Sequence, residues 1–264
     1  DSLGIESDVL YDLEVNPNRP DAMAVAGVAR DLAAYQKVPF KIPVPKVSEK
    51  GKDVSEILKA EIISPDLCGR FAVRVIDGIS IQDSPQWLKN RITALGMRPV
   101  NNVVDVSNYV MLELGQPSHT FDLGCVTGSE FKVRWAADGE EIVTLDGVAR
   151  SLTEQDGVVA DGSDLPIGIA GVMGGVSTEI SESTSTVAVE MAWWNPAAIA
   201  KTSRRLGLRS EASARFERGT DPEIIDMAMQ RFCELLGPEA FLSPGIIDTK
   251  GHLPAGDKIK VRVS

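Results

Sequence analysis

The chain has 264 residues, 43% of them hydrophobic and 25% charged, with a formal net charge of -11. That composition belongs to the ordinary soluble globular class and supports a real core in one large domain or two small ones. It excludes a membrane span, because no apolar run approaches roughly 20 residues. It also excludes a general nucleic-acid coat, because phosphate affinity comes from Lys and Arg, so any RNA contact must be local.

The N-terminus, Asp1-Ser-Leu-Gly4, lacks a starting Met and a signal-peptide pattern, and the chain reads as a piece cut from a longer protein. Cys68, Cys125 and Cys233 are odd in number and far apart, which reads as three reduced core thiols of a cytoplasmic protein. Two histidines and no Cys-x-x-Cys argue against a zinc site.

Residues 9 to 15 alternate well enough for a strand, and Asn16-Pro-Asn-Arg-Pro-Asp21 then turns the chain and caps a helix. Val25, Val28, Ala29 and Leu32 give that helix an apolar stripe ending near Tyr35. Pro39, Pro43 and Pro45 among lysines mark an extended linker and a boundary. Beyond it, 58 to 63 and 69 to 79 read as strands. Ser84-Pro85 supplies an N-cap and a first helical Pro, with Gly96 as the stop.

The run from Asn102 to Asp122 gathers Asp105, Asn108, Glu113, Gln116 and His119 around an apolar segment. The Gly115-Gln116-Pro117 turn places His119 on a loop, either as a binding or catalytic group or as a structural histidine beside the core. From 131 to 176 short strands alternate with Gly-Asp turns. Within them Ile167 to Gly175 lacks the spacing of any nucleotide loop, and its glycines mark tight strand packing or the close approach of a ligand.

In Val187 to Pro196 the strand period puts Val187 and Val189 on one face and Ala188, Glu190 and Ala192 on the other. Glu190 is therefore either turned to solvent on an edge or lining a pocket. Residues 201 to 219 carry six basic side chains against two acidic, as a solvated helix face or as a phosphate-contacting rim. Asp221-Pro222 opens a helix whose Ile225, Met229, Phe232 and Leu236 share a face, ended by Gly237-Pro238. The segment from 244 on holds a final strand with no partner in sight. Strands and helices mix without a regular β-α-β rhythm, so the fold class is α+β, with mixed sheets and packed helices.

Five motifs in order, Asn16-Pro-Asn-Arg-Pro-Asp21, Arg98-Pro-Val-Asn-Asn-Val-Val-Asp105, Gly115-Gln-Pro-Ser-His119-Thr-Phe-Asp122, Gly168-Ile-Ala-Gly171-Val-Met-Gly-Gly175 and Arg215-Phe-Glu-Arg-Gly-Thr-Asp-Pro222, closely resemble the beta subunit of bacterial phenylalanyl-tRNA synthetase. The resemblance covers nearly the whole chain and centres on that subunit's editing module. It implies a layered β/β/α sandwich built from two intertwined domains: 1–38 as the end of a preceding domain, 39–56 as linker, 57–243 as the tRNA-editing module and 244–264 as the start of a following domain.

The activity so implied is hydrolysis of tyrosine misattached to phenylalanine tRNA. Glu190 matches the carboxylate that recognises the phenol, and His119 and Asn108 match polar groups of the same pocket. Arg98 and Ser210 fall on pocket positions, and Gly171 and Ala212 match small residues that leave room for substrate. His119, Asn108 and Arg98 are the catalytic candidates, and Glu190, Gly171, Ser210 and Ala212 the substrate-binding ones. No cofactor or metal is expected in this chain. ATP and Mg2+ serve the complete enzyme, a heterotetramer of two alpha and two beta subunits that takes tRNA, works in the cytoplasm and has no membrane partner. A free-standing binding module and a trans-acting aminoacyl-tRNA deacylase are the alternatives.

Overall fold

The computed structural model describes residues 9, 11–237 and 241–254. In chain order its elements are α1 (Val25–Gln36), α2 (Val54–Ile57), β1 (Lys59–Ile62), β2 (Cys68–Asp77), α3 (Gln86–Ala94), α4 (Asn102–Leu114) and β3 (Ser118–Asp122). There follow β4 (Glu130–Trp135), β5 (Glu141–Val143), β6 (Ala149–Ser151), β7 (Gly157–Ala160), β8 (Pro166–Ile169), β9 (Met173–Gly174) and β10 (Thr186–Trp194). The last are α5 (Pro196–Leu206), α6 (Glu211–Phe216), α7 (Ile225–Leu236), β11 (Phe241–Leu242) and β12 (Ile247–Lys250).

Two sheets stack, and helices cover one of them. The first sheet has β2 and β10 at its centre, β3 beside β10, and β11 and β12 in succession along the free side of β2, all antiparallel. The second runs β1-β4-β7-β8-β9, with β1 and β4 parallel and the rest antiparallel. The chain alternates between the sheets, giving β1 to the second, β2 and β3 to the first, β4 and β7 to β9 to the second again, and β10 back to the first. The result is an α+β fold in three layers, with the two sheets interleaved in sequence.

Strand period explains the layering. Val187, Val189 and Met191 of β10 face Leu88 and Ile92 of α3, Val103, Val106 and Val110 of α4, and Ile225, Met229 and Phe232 of α7. The intervening Ala188 and Ala192, with Trp194, face the second sheet across a core in which Phe131 packs tilted against Phe71 and Phe121. Each of those fully buried phenylalanines contributes about 2 to 3 kcal/mol relative to exposure.

Several expectations need correction. Residues 9 and 11–15 form no strand. The α1 stripe is only partly covered, with Val25 58% and Leu32 52% exposed and Val28 and Ala29 half-buried, and the fully buried positions are Gly27 and Ala33. No room exists for a side chain at Gly27, where a Cβ would lie 1.9 Å from the Asp21 carbonyl oxygen. Ser84 is not an N-cap: α3 starts after Pro85, and the Ser84 hydroxyl donates to the buried Asp105 carboxylate at 2.5 Å. Cys125 is exposed and not a core thiol.

In the segment from 244 on, the described strand β12 pairs with β2 from Ile247↔Val73 to Lys250↔Arg70. The Arg70 guanidinium binds the Asp248 carboxylate across that pairing. Residues 255–264 lie outside the described residues. Residues 38–53 form no helix or strand, and they are tied down by the Lys46 N–H to Glu234 and by the Glu49 carboxylate to Arg74.

Candidate functional site

The inventory around α4 divides into structural groups and one site residue. The Asn101 side chain caps the helix by accepting from the Val103 and Val104 N–H groups, and Gly115 ends it with a φ of 80°. Asp105 accepts from Ser84 and from the Val100 N–H, Glu113 pairs with Arg231, and Gln116 donates to backbone carbonyls. These bonds pair most of the polar groups around α4, the Gln116 Oε1 excepted. His119 remains, and it lies on strand β3, not on a loop.

Register brings His119 to its counterpart. In the antiparallel β3–β10 pair His119 sits directly opposite Glu190, and opposed residues project on the same side with Cβ atoms about 4.5 to 5.5 Å apart. Glu190 is 6% exposed on a central strand, which excludes the solvent-facing edge and leaves the pocket reading. Its face carries Ala188, Ala192 and Trp194, small side chains flanking a carboxyl with an indole at one end.

The β8–β9 hairpin and α6 close the space above this pair. Gly171 turns the hairpin with a φ of 65°. Gly174 presses its backbone on the imidazole, because a Cβ there would lie 2.2 Å from His119 Cε1 and 2.4 Å from Nε2. The cleft is small, with a cavity volume of about 70 Å3. Its polar side chains are Ser118, His119 and Glu190; Phe121, Ile169, Trp194, Ala212 and Phe216 are among the apolar ones. The His119 ring also meets Phe121 edge-on, with centroids 4.5 Å apart.

Burial pushes the Glu190 carboxyl up to about 8 and the His119 imidazole down to about 4, since each loses the water that would stabilise its charged form. Both are therefore neutral at pH 7, and a neutral carboxyl can donate a hydrogen bond as well as accept one. Neither side chain hydrogen-bonds another described residue, so both are open to a bound molecule. An imidazole of such low basicity is a weak general base near neutrality. The arrangement presents two adjacent polar groups to a small, largely apolar guest.

Of the residues singled out from the sequence, the structure gathers His119, Glu190, Gly171 and Ala212 into one cleft. Ser210 lies beside the lining: its hydroxyl caps α6 by accepting the Ser213 N–H and donates at 2.8 Å to the carbonyl of Val172, a lining residue. Asn108 is half-buried on α4 outside the lining, next to Ser107, which bonds Ser118. Arg98 is exposed on the α3–α4 connection, also outside the lining.

Sequence reasoning missed Gly174, Trp194 and Phe216. The period-two continuation of the Ala188–Glu190–Ala192 face would have found Trp194. In the basic run, Arg205 pairs with the buried Asp156, and Arg215 with Glu211 and the Met23 carbonyl, so these two hold structure together and form no free rim.

Residues 67–238 match the family model described as B3/4 domain. The phenylalanine–tRNA ligase beta subunit of Moorella thermoacetica is 45% identical over 250 residues, spanning 93% of this chain and 31% of that subunit. The same subunit of Nitratidesulfovibrio vulgaris is 44% identical over 248 residues, again spanning 93% and 31%. A crystal structure of an N-terminal fragment of the phenylalanyl-tRNA synthetase beta-subunit from Pyrococcus horikoshii is 13% identical with a TM-score of 0.40, covering 75% of this chain and 59% of that one. The chain thus spans about a third of the length of the curated relatives it matches.

Proposed function

The chain belongs to the B3/4 domain family, and from that premise we propose that its cleft hydrolyses tyrosine wrongly esterified to the terminal adenosine of phenylalanine tRNA. One observation carries the reading: a desolvated carboxyl and an imidazole stand opposite each other in a cleft whose other walls are mostly apolar. Phe121, Trp194 and Phe216 offer an aromatic ring its contacts, and Glu190 meets the phenol hydroxyl. Gly171 and Ala212 leave the volume that the substrate fills.

Selecting for a hydroxyl suits this geometry. A pocket that excludes tyrosine by shape alone discriminates weakly, whereas a buried polar group left unpaired by phenylalanine discriminates strongly. The ester is already activated, so a site that positions water, helped by the adjacent ribose hydroxyl, suffices. His119 serves that positioning, since its depressed pKa makes it a poor proton acceptor at neutral pH.

Within this reading residues 57–243 form the editing module of a beta subunit. The complete enzyme, with its alpha subunits in a heterotetramer, attaches phenylalanine to tRNA in the cytoplasm using ATP and Mg2+. This chain alone does not aminoacylate. The test is hydrolysis of tyrosyl- and phenylalanyl-tRNA by the complete enzyme carrying Glu190→Ala. Losing the phenol's partner removes about 1 to 3 kcal/mol of discrimination, a ratio change of roughly 5- to 150-fold. An unchanged ratio rejects the assignment.

A further inference from the structure

The β3–β10 ladder runs from Val187↔Asp122 to Met191↔Ser118, and the residue that would face Ala192 next is Pro117. Proline has no N–H, so the ladder loses a donor at that step. The Ala192 carbonyl points the same way as that of Glu190, because alternate residues of a strand share their hydrogen-bonding side. It nonetheless has a donor from β3's side: Gln116 Nε2 reaches it at 3.1 Å and also donates to the Pro117 carbonyl at 2.9 Å.

Gln116 is fully buried, and its Oε1 has no partner. Burying an amide with one end unsatisfied is unfavourable, and an apolar side chain would avoid it. The amide can sit only this way round, since the flipped form would aim Oε1 at two carbonyl oxygens. What offsets the orphaned oxygen is the bond that Nε2 makes to β10.

We infer that Gln116 is a positioning residue for the His119–Glu190 pair, its side-chain amide standing in for the N–H that Pro117 lacks. The bond clamps β3 to β10 two residues from Glu190 and three from His119, at the end where β3 begins. Without it the ladder starts one pair later and His119 sits near a frayed end. The catalytic consequence rests on the editing reading; the ladder role does not.

Three variants of the complete enzyme test this: Gln116→Ala, Pro117→Ala and the double variant. They are followed by tyrosyl- and phenylalanyl-tRNA hydrolysis and by deuterium uptake in peptides covering 117–122 and 187–194. Gln116→Ala is expected to lose about fivefold or more in tyrosyl hydrolysis, to narrow the tyrosyl-to-phenylalanyl ratio and to speed uptake in both peptides, as one lost hydrogen bond would. In the Pro117→Ala background, where a backbone N–H is restored, the same substitution should cost no more than about twofold and leave uptake nearly unchanged. Gln116→Met keeps the length of the side chain without the donors, and should behave like Gln116→Ala.

Equal losses in both backgrounds, or a loss without faster uptake, overturn the inference. If uptake shows the rescue while the unaltered enzyme leaves tyrosyl-tRNA intact, the ladder role stands and the editing reading falls. If the enzyme edits but Pro117→Ala rescues nothing, the positioning role alone falls.

Discussion

Gly174→Ala adds one methyl group at the point where the β8–β9 hairpin lies against the imidazole. That Cβ would sit 2.2 Å from His119 Cε1, whereas carbon atoms rest at roughly 3.5 Å or more, so the ring must retreat by over 1 Å. The backbone of Gly174 is not left-handed, and alanine brings no strain of its own. The whole effect therefore falls on the contact. Behind the ring lies Phe121, edge-on with centroids 4.5 Å apart, so the open direction is into the cleft.

Overpacking of this kind costs about 1 to 3 kcal/mol of stability, and a ring driven into the cleft pushes the guest itself out of position, where a 1 Å misplacement costs on the order of a hundredfold in rate, a loss that deleting the ring would not bring. Single-turnover hydrolysis of tyrosyl-tRNA, measured beside denaturant unfolding of the same protein, separates the two. The expected result is a folded protein with hydrolysis reduced on the order of a hundredfold. Hydrolysis at the unaltered rate would refute the placement of His119 against the substrate.

Ala212→Trp, on the α6 side of the cleft, should block hydrolysis while leaving phenylalanine activation by the complete enzyme intact; normal clearance of tyrosyl-tRNA would remove Ala212 from the substrate surface. Gly171→Trp is a poorer probe, because φ is 65° and a Cβ already lies 2.9 Å from both Ile199 Cδ1 and Trp194 Cδ1, so its melting temperature should fall as well. His119→Ala should lose well under the roughly hundredfold that removal of a general base brings, with little change in the pH–rate profile; a large loss together with a vanished inflection would make His119 the base.

The buried pair also shapes stability against pH. Glu190 keeps its proton in the folded state up to about pH 8, so its contribution is fully present below the ordinary carboxyl pKa and is lost as pH rises toward 8. His119 acts oppositely, its contribution being present above the ordinary histidine pKa and lost as pH falls toward about 4. Glu190→Gln should abolish the decline between pH 6.5 and 8, and unfolding midpoints that decline as before would contradict the burial of Glu190.

What the sequence disclosed tracks the range of the interaction involved. Glu190 was visible as a lone carboxyl on a small-residue face, because strand alternation is local. Its pairing with His119, 71 positions away, is a matter of register, which no local pattern carries; only the resemblance of motifs brought the two together. Arg98 stands apart from that pair, outside the cleft lining. It adjoins the site's helix in sequence, yet it projects from an exposed connection. The α1 stripe misled because an apolar period marks a face without saying how much of it is covered, and the close backbone approach at Gly27 lies off that stripe. Strand β12 pairs with β2, nearly 180 residues earlier, beyond any reading by neighbourhood.

The central claim is that Glu190 makes the cleft select a phenolic guest. Its most direct test is the affinity of the complete enzyme for non-hydrolysable tyrosyl- and phenylalanyl-adenosine analogues, with Glu190 intact and as Glu190→Ala. The intact protein should hold the tyrosyl analogue at least about fivefold more tightly, the worth of one buried hydrogen bond, and Glu190→Ala should bring the two together. Equal affinities in the intact protein, or a preference that survives Glu190→Ala, would contradict it.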